Sequence, residues 1–262
     1  MATGQEIDHG KIFDWGRTSA DYAAYRDIYP EEFYKKILAL GLCGPGKNIL
    51  DIGTGTGVLP RNLYRYGGHF TGIDSSENQI EQAQLLSKNM QMDIGLQSVS
   101  AEKMEFLAES FDTVTACQCF AYFDHETLAP RVHKILKPGG RFAVLYMAWL
   151  PFEDTIAGKS EELILKYNPL WSGCKETRRA ISIPPVYLNF FILEHQEVYD
   201  LHVPFTRESW RGRVKTCRGV GASLSEEEIR QFEAEHKKLL DKIAPAKFDV
   251  LHYAAVAVLK KK

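Results

Sequence analysis

For its first 150 residues the chain alternates short apolar runs with longer segments of helical period. KNILDIG (47–53) is an unbroken apolar run rich in Ile and Leu, the pattern of a strand buried on both faces. VLPRNLYRY follows as a helix, with Pro60 near its first turn, where a missing N–H costs little. HFTGID is a second strand, and SSENQIEQAQLLSKNM a second helix with Ser76 and Gln79 at capping-box spacing. IGLQSV and FDTVTACQC are the third and fourth strands. HETLAPRVHKIL is helical in pattern, and Pro130 is expected to kink or shorten it. KPGG is a turn, and RFAVLYMAW a fifth strand. Strands alternating with helices imply parallel crossovers and an α/β doubly wound sheet.

The rhythm changes after residue 150. Residues 151–190 start helical at best and end as a loop, with NPLW and IPPV inside them. VYDLHVPF places Tyr199, Leu201, Val203 and Phe205 on one face, as a strand would. FDVLHYAAVAVL is apolar on both faces and reads as a central strand. Between them lie two helices. The second opens on a Ser225–Glu228 capping box and carries the stripe Ile229, Phe232, Leu239, Leu240 and Ile243. The expected organisation is one domain over 1–262. Its parts are an N-terminal lid and helix (1–46), a ligand-binding core (47–150), a cap insertion (151–190), and C-terminal strands with a helical lid at 206–243 (191–262).

Composition narrows the classes. The 262 residues carry a net charge of −2, so no global basic field is available to hold nucleic acid or an anionic membrane. No apolar stretch approaches the roughly 20 residues needed to span a bilayer. The N-terminus lacks the apolar core of a secretion signal. Five dispersed cysteines fit a reducing cytoplasm, and no second cluster joins Cys117 and Cys119 to complete a metal site.

The candidate chemistry begins at ILDIGTGTG. Gly53, Gly55 and Gly57 let backbone approach a ligand at the strand end, where open α/β sheets bind their ligands. Thr54 and Thr56 are good turn residues. Asp74 ends the second strand 23 residues after Asp51, the place of an acid that accepts ribose hydroxyls. Asp51 decides between ligands. A carboxylate there repels the pyrophosphate of a dinucleotide and favours an ammonium. S-adenosylmethionine carries an α-ammonium and a sulfonium, so it fits better than a nicotinamide dinucleotide.

These residues resemble the class I S-adenosylmethionine-dependent methyltransferases. ILDIGTGTG looks like their first motif, GIDSSENQIEQA the second, VSAEKMEF the adenine-contacting segment, FDTVTACQCFAYFD the fourth-strand motif, and ILKPGGRFAVL the turn into the fifth strand. The resemblance implies a seven-stranded, Rossmann-like sheet with an antiparallel C-terminal strand. It also implies cofactor contacts from Asp51, Gly53, Thr54, Gly55, Asp74, Ser75, Ala101, Glu102 and Gln118. Within the class, YAAYRDIYP and TACQCFAYFD are similar to the trans-aconitate and related small-molecule methyltransferases, with Ala121 and Tyr122 where a His-Trp pair often stands and Ser100 where an Asp is common. Tyr22, Tyr25, Arg26 and Tyr29 are expected to form a lid, with Arg26 pairing the cofactor carboxylate. The bland alternative is a helix packed on the core.

Methyl transfer to an activated carbon needs alignment and desolvation first, and a general base only if the nucleophile must lose a proton. Gln118, Tyr122 and Arg211 are the candidates for a catalytic role. His125, His195 and His202 are bases by type alone. TRESWRGRVKTCRG concentrates Arg207, Arg211, Arg213, Lys215 and Arg218 against Glu208. It is read as a solvated basic face or as a lid that offers cations to an anionic acceptor under Trp210. The expected function is methyl transfer to a small molecule by a cytoplasmic monomer or homodimer, with no nucleic-acid or membrane partner. A protein or tRNA methyltransferase and a non-catalytic cofactor-binding protein are the alternatives.

Overall fold

A computed structural model describes residues 7–10, 14, 21 and 24–262. Seven strands carry the fold: β1 (Asn48–Ile52), β2 (His69–Asp74), β3 (Ile94–Ser98), β4 (Phe111–Cys117), β5 (Leu136–Trp149), β6 (Phe191–Thr206) and β7 (Lys247–Lys261). They form one sheet in the order β3-β2-β1-β4-β5-β7-β6. The first five pair in parallel. β7 runs against β5. Its start meets the end of that strand, Leu150 N donating to Leu251 O, and its end meets the beginning, Lys261 Nζ donating to Leu136 O. The α/β doubly wound sheet with an antiparallel C-terminal strand is therefore as the sequence predicts.

The helices are α1 (Glu31–Ala39), α2 (Val58–Leu63), α3 (Glu77–Asn89), α4 (His125–Ile135), α5 (Thr155–Tyr167), α6 (Tyr187–Phe190), α7 (Arg207–Lys215) and α8 (Glu226–Ile243). Two compact units divide the chain. The larger holds Glu31–Met147, Arg179–Tyr199 and Ala254–Lys262. Its core joins Leu50 and Ile52 of β1, Val114 and Ala116 of β4, and Phe142 and Val144 of β5 to Leu128 and Val132 of α4, all buried. The smaller holds the N-terminal segment to Pro30, Ala148–Arg178 and Asp200–Tyr253. Trp210 is its centre, fully buried with Trp149 at 5.4 Å and Phe205 at 4.9 Å between ring centroids.

Three local expectations change. The Ser76–Gln79 box does not form, and Ser76 makes no side-chain cap. The Ser76 backbone N–H that Gln79 would take donates to Asp74 Oδ1 at 2.9 Å instead. The helix over 125–135 runs through Pro130. Asp124 caps it by accepting from the Glu126 and Thr127 amides, and Leu128, Ala129, Val132 and Ile135 bury its inner face, which offsets one missing hydrogen bond. KPGG belongs to the β4–β5 pairing as a bulge. Phe111 faces Leu136 and Thr113 faces Arg141, so Lys137–Gly140 loop out, with Gly139 at φ 72°.

One polar cluster of the smaller unit is closed on itself. Ser160 Oγ donates to Ile156 O, accepts from Trp210 Nε1 at 2.9 Å and lies 3.0 Å from His236 Nε2. With the hydroxyl proton used, His236 donates from Nε2. Burial pushes its pKa down to about 4. His236 sits on the apolar stripe of α8 with Phe232 and Leu240.

Pro130→Ala restores the hydrogen bond that the helix interior lacks. The variant is expected to be roughly 1–3 kcal/mol more stable in urea unfolding. No gain would show that the Glu126 carbonyl is already satisfied.

Candidate active site

The strand order reverses at β1, between β2 and β4, and the chemistry-bearing residues sit at the carboxyl ends of these three strands. Asp51 pairs in register with Thr115 on one side and Gly72 on the other. Neighbours in register share a face, so the Thr115 hydroxyl donates to Asp51 Oδ1 at 2.6 Å. A Cβ on Gly72 would lie 2.9 Å from the Thr54 side chain, so that glycine makes room for Thr54 beside the acid. Burial pushes the Asp51 carboxyl up to about 6; Thr115 and Thr54 pull it down, and the Asp74 charge raises it further.

Asp74 closes β2 and organises the loop around it. Its Oδ2 accepts from Gly55 N at 2.9 Å and its Oδ1 from Ser76 N at 2.9 Å. The Ser75 amide adds a third hydrogen bond, yet burial still leaves this carboxyl above its ordinary range. Neither acid has an ion pair among the described residues. Two adjacent carboxyls, both resisting ionisation for want of a countercharge, make the site complementary to a cation.

Gly53, Gly55 and Gly57 all have positive φ, at 65°, 56° and 73°. Two of them also serve packing. A Cβ on Gly53 would meet Cys119 Sγ at 2.7 Å, and one on Gly57 would meet Ala83 of α3 at 3.4 Å. Cys119 therefore fills the space beside Gly53 and donates to Ile52 O at 3.1 Å. Burial raises this thiol well above its usual range, and all five cysteines are free. Among the described residues no cluster of ligands could hold a metal ion.

The other sequence-nominated residues fall as follows. Gln118, just past β4, holds φ at 67°, a conformation uncommon outside glycine, and its Nε2 donates to Met147 O at 2.6 Å. Tyr122 is exposed in a short turn over Phe120–Tyr122. Ala101 is buried in another, and neighbouring Glu102 accepts from Asp124 N at 3.1 Å. His125 Nδ1 lies 3.2 Å from the hydroxyl of the fully buried Tyr187. His195 meets Glu197, and His202 is exposed. Tyr22 lies outside the described residues.

Arg26, Arg211 and their neighbours belong to the smaller unit, where the two nominated lids turn out to be one structure. Asp8 is fully buried and holds Arg218 through both oxygens, at 2.6 and 3.0 Å. Asp14 N donates to Ala222 O, and Lys215 lies 3.1 Å from Asp21. The Tyr25 ring occupies the space a Cβ on Gly212 would need, 2.2 Å from its nearest atom. Arg26 donates to the Thr216 hydroxyl and carbonyl, both at 2.9 Å. Trp210, expected over an acceptor, is instead fully buried, because α7 turns that face into the core. Arg207 donates to Ala244 O, and Arg213 stacks 4.9 Å over Trp149. Sequence reading missed Thr115 and Gly72; alternation of Thr113, Thr115 and Cys117 along β4 was the available signal for the first.

Similarity to known proteins gives the family. A family model described as a methyltransferase domain matches residues 50–144. A ubiquinone biosynthesis O-methyltransferase of Pseudomonas entomophila is 30% identical over 172 residues, covering 62% of this chain and 73% of that one. One from Coxiella burnetii is 29% identical over 116 residues, and there the chain spans half the relative's length. Among solved structures, phosphoethanolamine N-methyltransferase 2 of Haemonchus contortus, in complex with phosphomonomethylethanolamine and S-adenosylhomocysteine, superposes with a TM-score of 0.55 at 20% identity, over 99% of this chain and 58% of that one. YcgJ of Bacillus subtilis gives 0.52 at 17%, over 89% and 99%. The chain belongs to the class I S-adenosylmethionine-dependent methyltransferases. It is a methyltransferase, S-adenosylmethionine is its cofactor, and the cation-seeking acid pair at β1 and β2 fits that group. These names bear on the class and not on the trans-aconitate-like subgroup.

Because Asp51 titrates higher in the folded chain than in the unfolded one, the native state binds more protons between about pH 4 and 6. Ligand-free stability therefore falls as pH rises through that window, by on the order of 3 kcal/mol at pH 7. Asp51→Asn is expected to match the parent near pH 4 and exceed it by roughly 1–3 kcal/mol at pH 7 in urea unfolding. A difference that stays constant with pH would contradict the buried-acid account.

Proposed function

We propose that this chain transfers the methyl group of S-adenosylmethionine to a small-molecule acceptor. The carrying observation is the uncompensated acid pair, Asp51 and Asp74, at adjacent strand ends. When bound, the cofactor supplies a methyl already activated on its sulfonium. The chain's residues hold and align. Asp51 receives the ammonium, and Gly53, Thr54 and Gly55 line the carboxylate, with the Thr54 and Gly55 amides already fixed to Ile73 O and Asp74 Oδ2. Asp74 accepts from the ribose hydroxyls with Ser75 beside it, and Ala101 and Glu102 serve the adenine side. Gln118, held in a costly backbone conformation beside these strand ends, is the candidate to face the reacting end. Tyr122, exposed a turn later, is the candidate from the same loop for the acceptor.

A small acceptor is supported by the near-neutral net charge and by the small-molecule names of the curated relatives. An anionic group on it rests on Arg211 alone. Arg207, Arg213, Lys215 and Arg218 have partners inside the smaller unit, as Arg26 does, which leaves Arg211 as the cation for the acceptor.

Labelled-methyl turnover against a metabolite pool tests the activity, and absence of any methylated product would leave only cofactor binding. Asp74→Ala removes two charged hydrogen bonds of roughly 1.5–3 kcal/mol each, so cofactor affinity by calorimetry should fall at least about tenfold. A smaller loss would move the ribose contact elsewhere. With an acceptor in hand, Arg211→Ala is expected to raise its KM about tenfold without changing cofactor affinity, while Arg207→Ala changes neither. Equal behaviour of the two variants would end the anionic-acceptor reading.

A further inference from the structure

Of the nine large apolar side chains that stand exposed among the described residues, four fall in one neighbourhood of the larger unit: Leu107 (84%), Leu188 (49%), Ile192 (57%) and Leu193 (40%). The place is where β4, β5 and β6 begin and β7 ends, the end of the parallel strands away from the glycine loop. Direct contacts tie it together. Lys262 N donates to Phe190 O and its Nζ to Leu188 O, and the His133 ring lies 5.4 Å from that of Phe190. Glu109 N, two residues past Leu107, donates to Lys134 O.

Charge says what covers the patch. Two of its acids are matched, Glu194 by Arg141 at 2.6 Å and Glu109 by Lys261 at 3.9 Å, and Glu105 is exposed without an ion pair among the described residues. Lys134, Lys260 and Lys262 are exposed and have no ion pair among the described residues. Exposed aliphatics ringed by surplus lysines suit a surface that offers both apolar depth and negative charge. A second copy of the chain would bring the same lysines against these, a repulsion that edge lysines commonly provide.

We infer that this end of the larger unit docks on an anionic membrane surface. No described helix is long and apolar enough to cross a bilayer, so the contact is peripheral, with aliphatic side chains entering the headgroup layer and lysines meeting lipid phosphates. The expectation of no membrane partner came from net charge and the lack of a spanning segment. Neither reports on a patch assembled from residues 107, 134, 188–193 and 260–262. This inference stands apart from the identity of the acceptor.

The test is sedimentation of the full chain with vesicles of phosphatidylcholine alone and of phosphatidylcholine with phosphatidylglycerol, at low and high salt. The expected result is binding to the anionic vesicles only, lost at high salt. Each lysine near such a surface is worth about fivefold, so Lys260→Glu with Lys262→Glu should lower partitioning at least about 25-fold. Ile192→Gln with Leu193→Gln should also weaken it, and unchanged cofactor affinity in calorimetry confirms that both variants are folded. Binding to neither vesicle, or to both alike, overturns the inference. So does lipid-free self-association that the same substitutions abolish, since the patch would then serve a second copy.

Discussion

A carboxyl group buried without a countercharge governs the arrangement of the active-site strands. Asp51 lies on a strand flanked on both sides by other strands, so water cannot reach it from either neighbour. Thr115 offers one hydrogen bond from β4, and Gly72 on β2 gives up its side chain so that Thr54 can stand close. Asp74 adds a second acid from the next strand. Each of its oxygens accepts one amide, from Gly55 and Ser76, which fixes the loop and the start of α3, and each keeps a second acceptor site. The fold thus places side by side two carboxyls that burial makes harder to ionise than an ordinary carboxylate, where we propose that a cationic cofactor binds.

The glycine loop serves two demands at once. All three glycines adopt left-handed backbone, but Gly53 also leaves space for Cys119, and Gly57 lets α2 start close to α3. A substitution at Gly53 would therefore disturb the fourth-strand motif before it touched any ligand. The first motif and the fourth-strand motif are mechanically one unit at this point.

The smaller unit shows how a basic stretch can be structural. Arg218 neutralises the buried Asp8, Lys215 meets Asp21, and Arg26 is held by Thr216. Gly212 is a glycine because the Tyr25 ring occupies its Cβ position. Asp8, Asp14, Asp21, Tyr25 and Arg26 all meet residues 212–222 within one compact body.

Local pattern was enough to read five parallel strands, their helices and the order of motifs, because burial on both faces writes continuous apolar runs and crossovers fix the connection. It was also enough to nominate Asp51 and Asp74, since charge sign and spacing along a strand–loop–helix unit are carried within some 25 residues of chain. What the sequence could not hold was any relation between distant segments. The Ser76–Gln79 box failed because Asp74 claimed its amide, and Pro130 was tolerated because the buried face of its helix outweighed one hydrogen bond. Cations read as free for an acceptor were committed to partners as much as 210 residues away, as Arg218 is to Asp8. Periodicity determines which residues are buried; which buried or charged groups meet is decided only when the chain closes on itself.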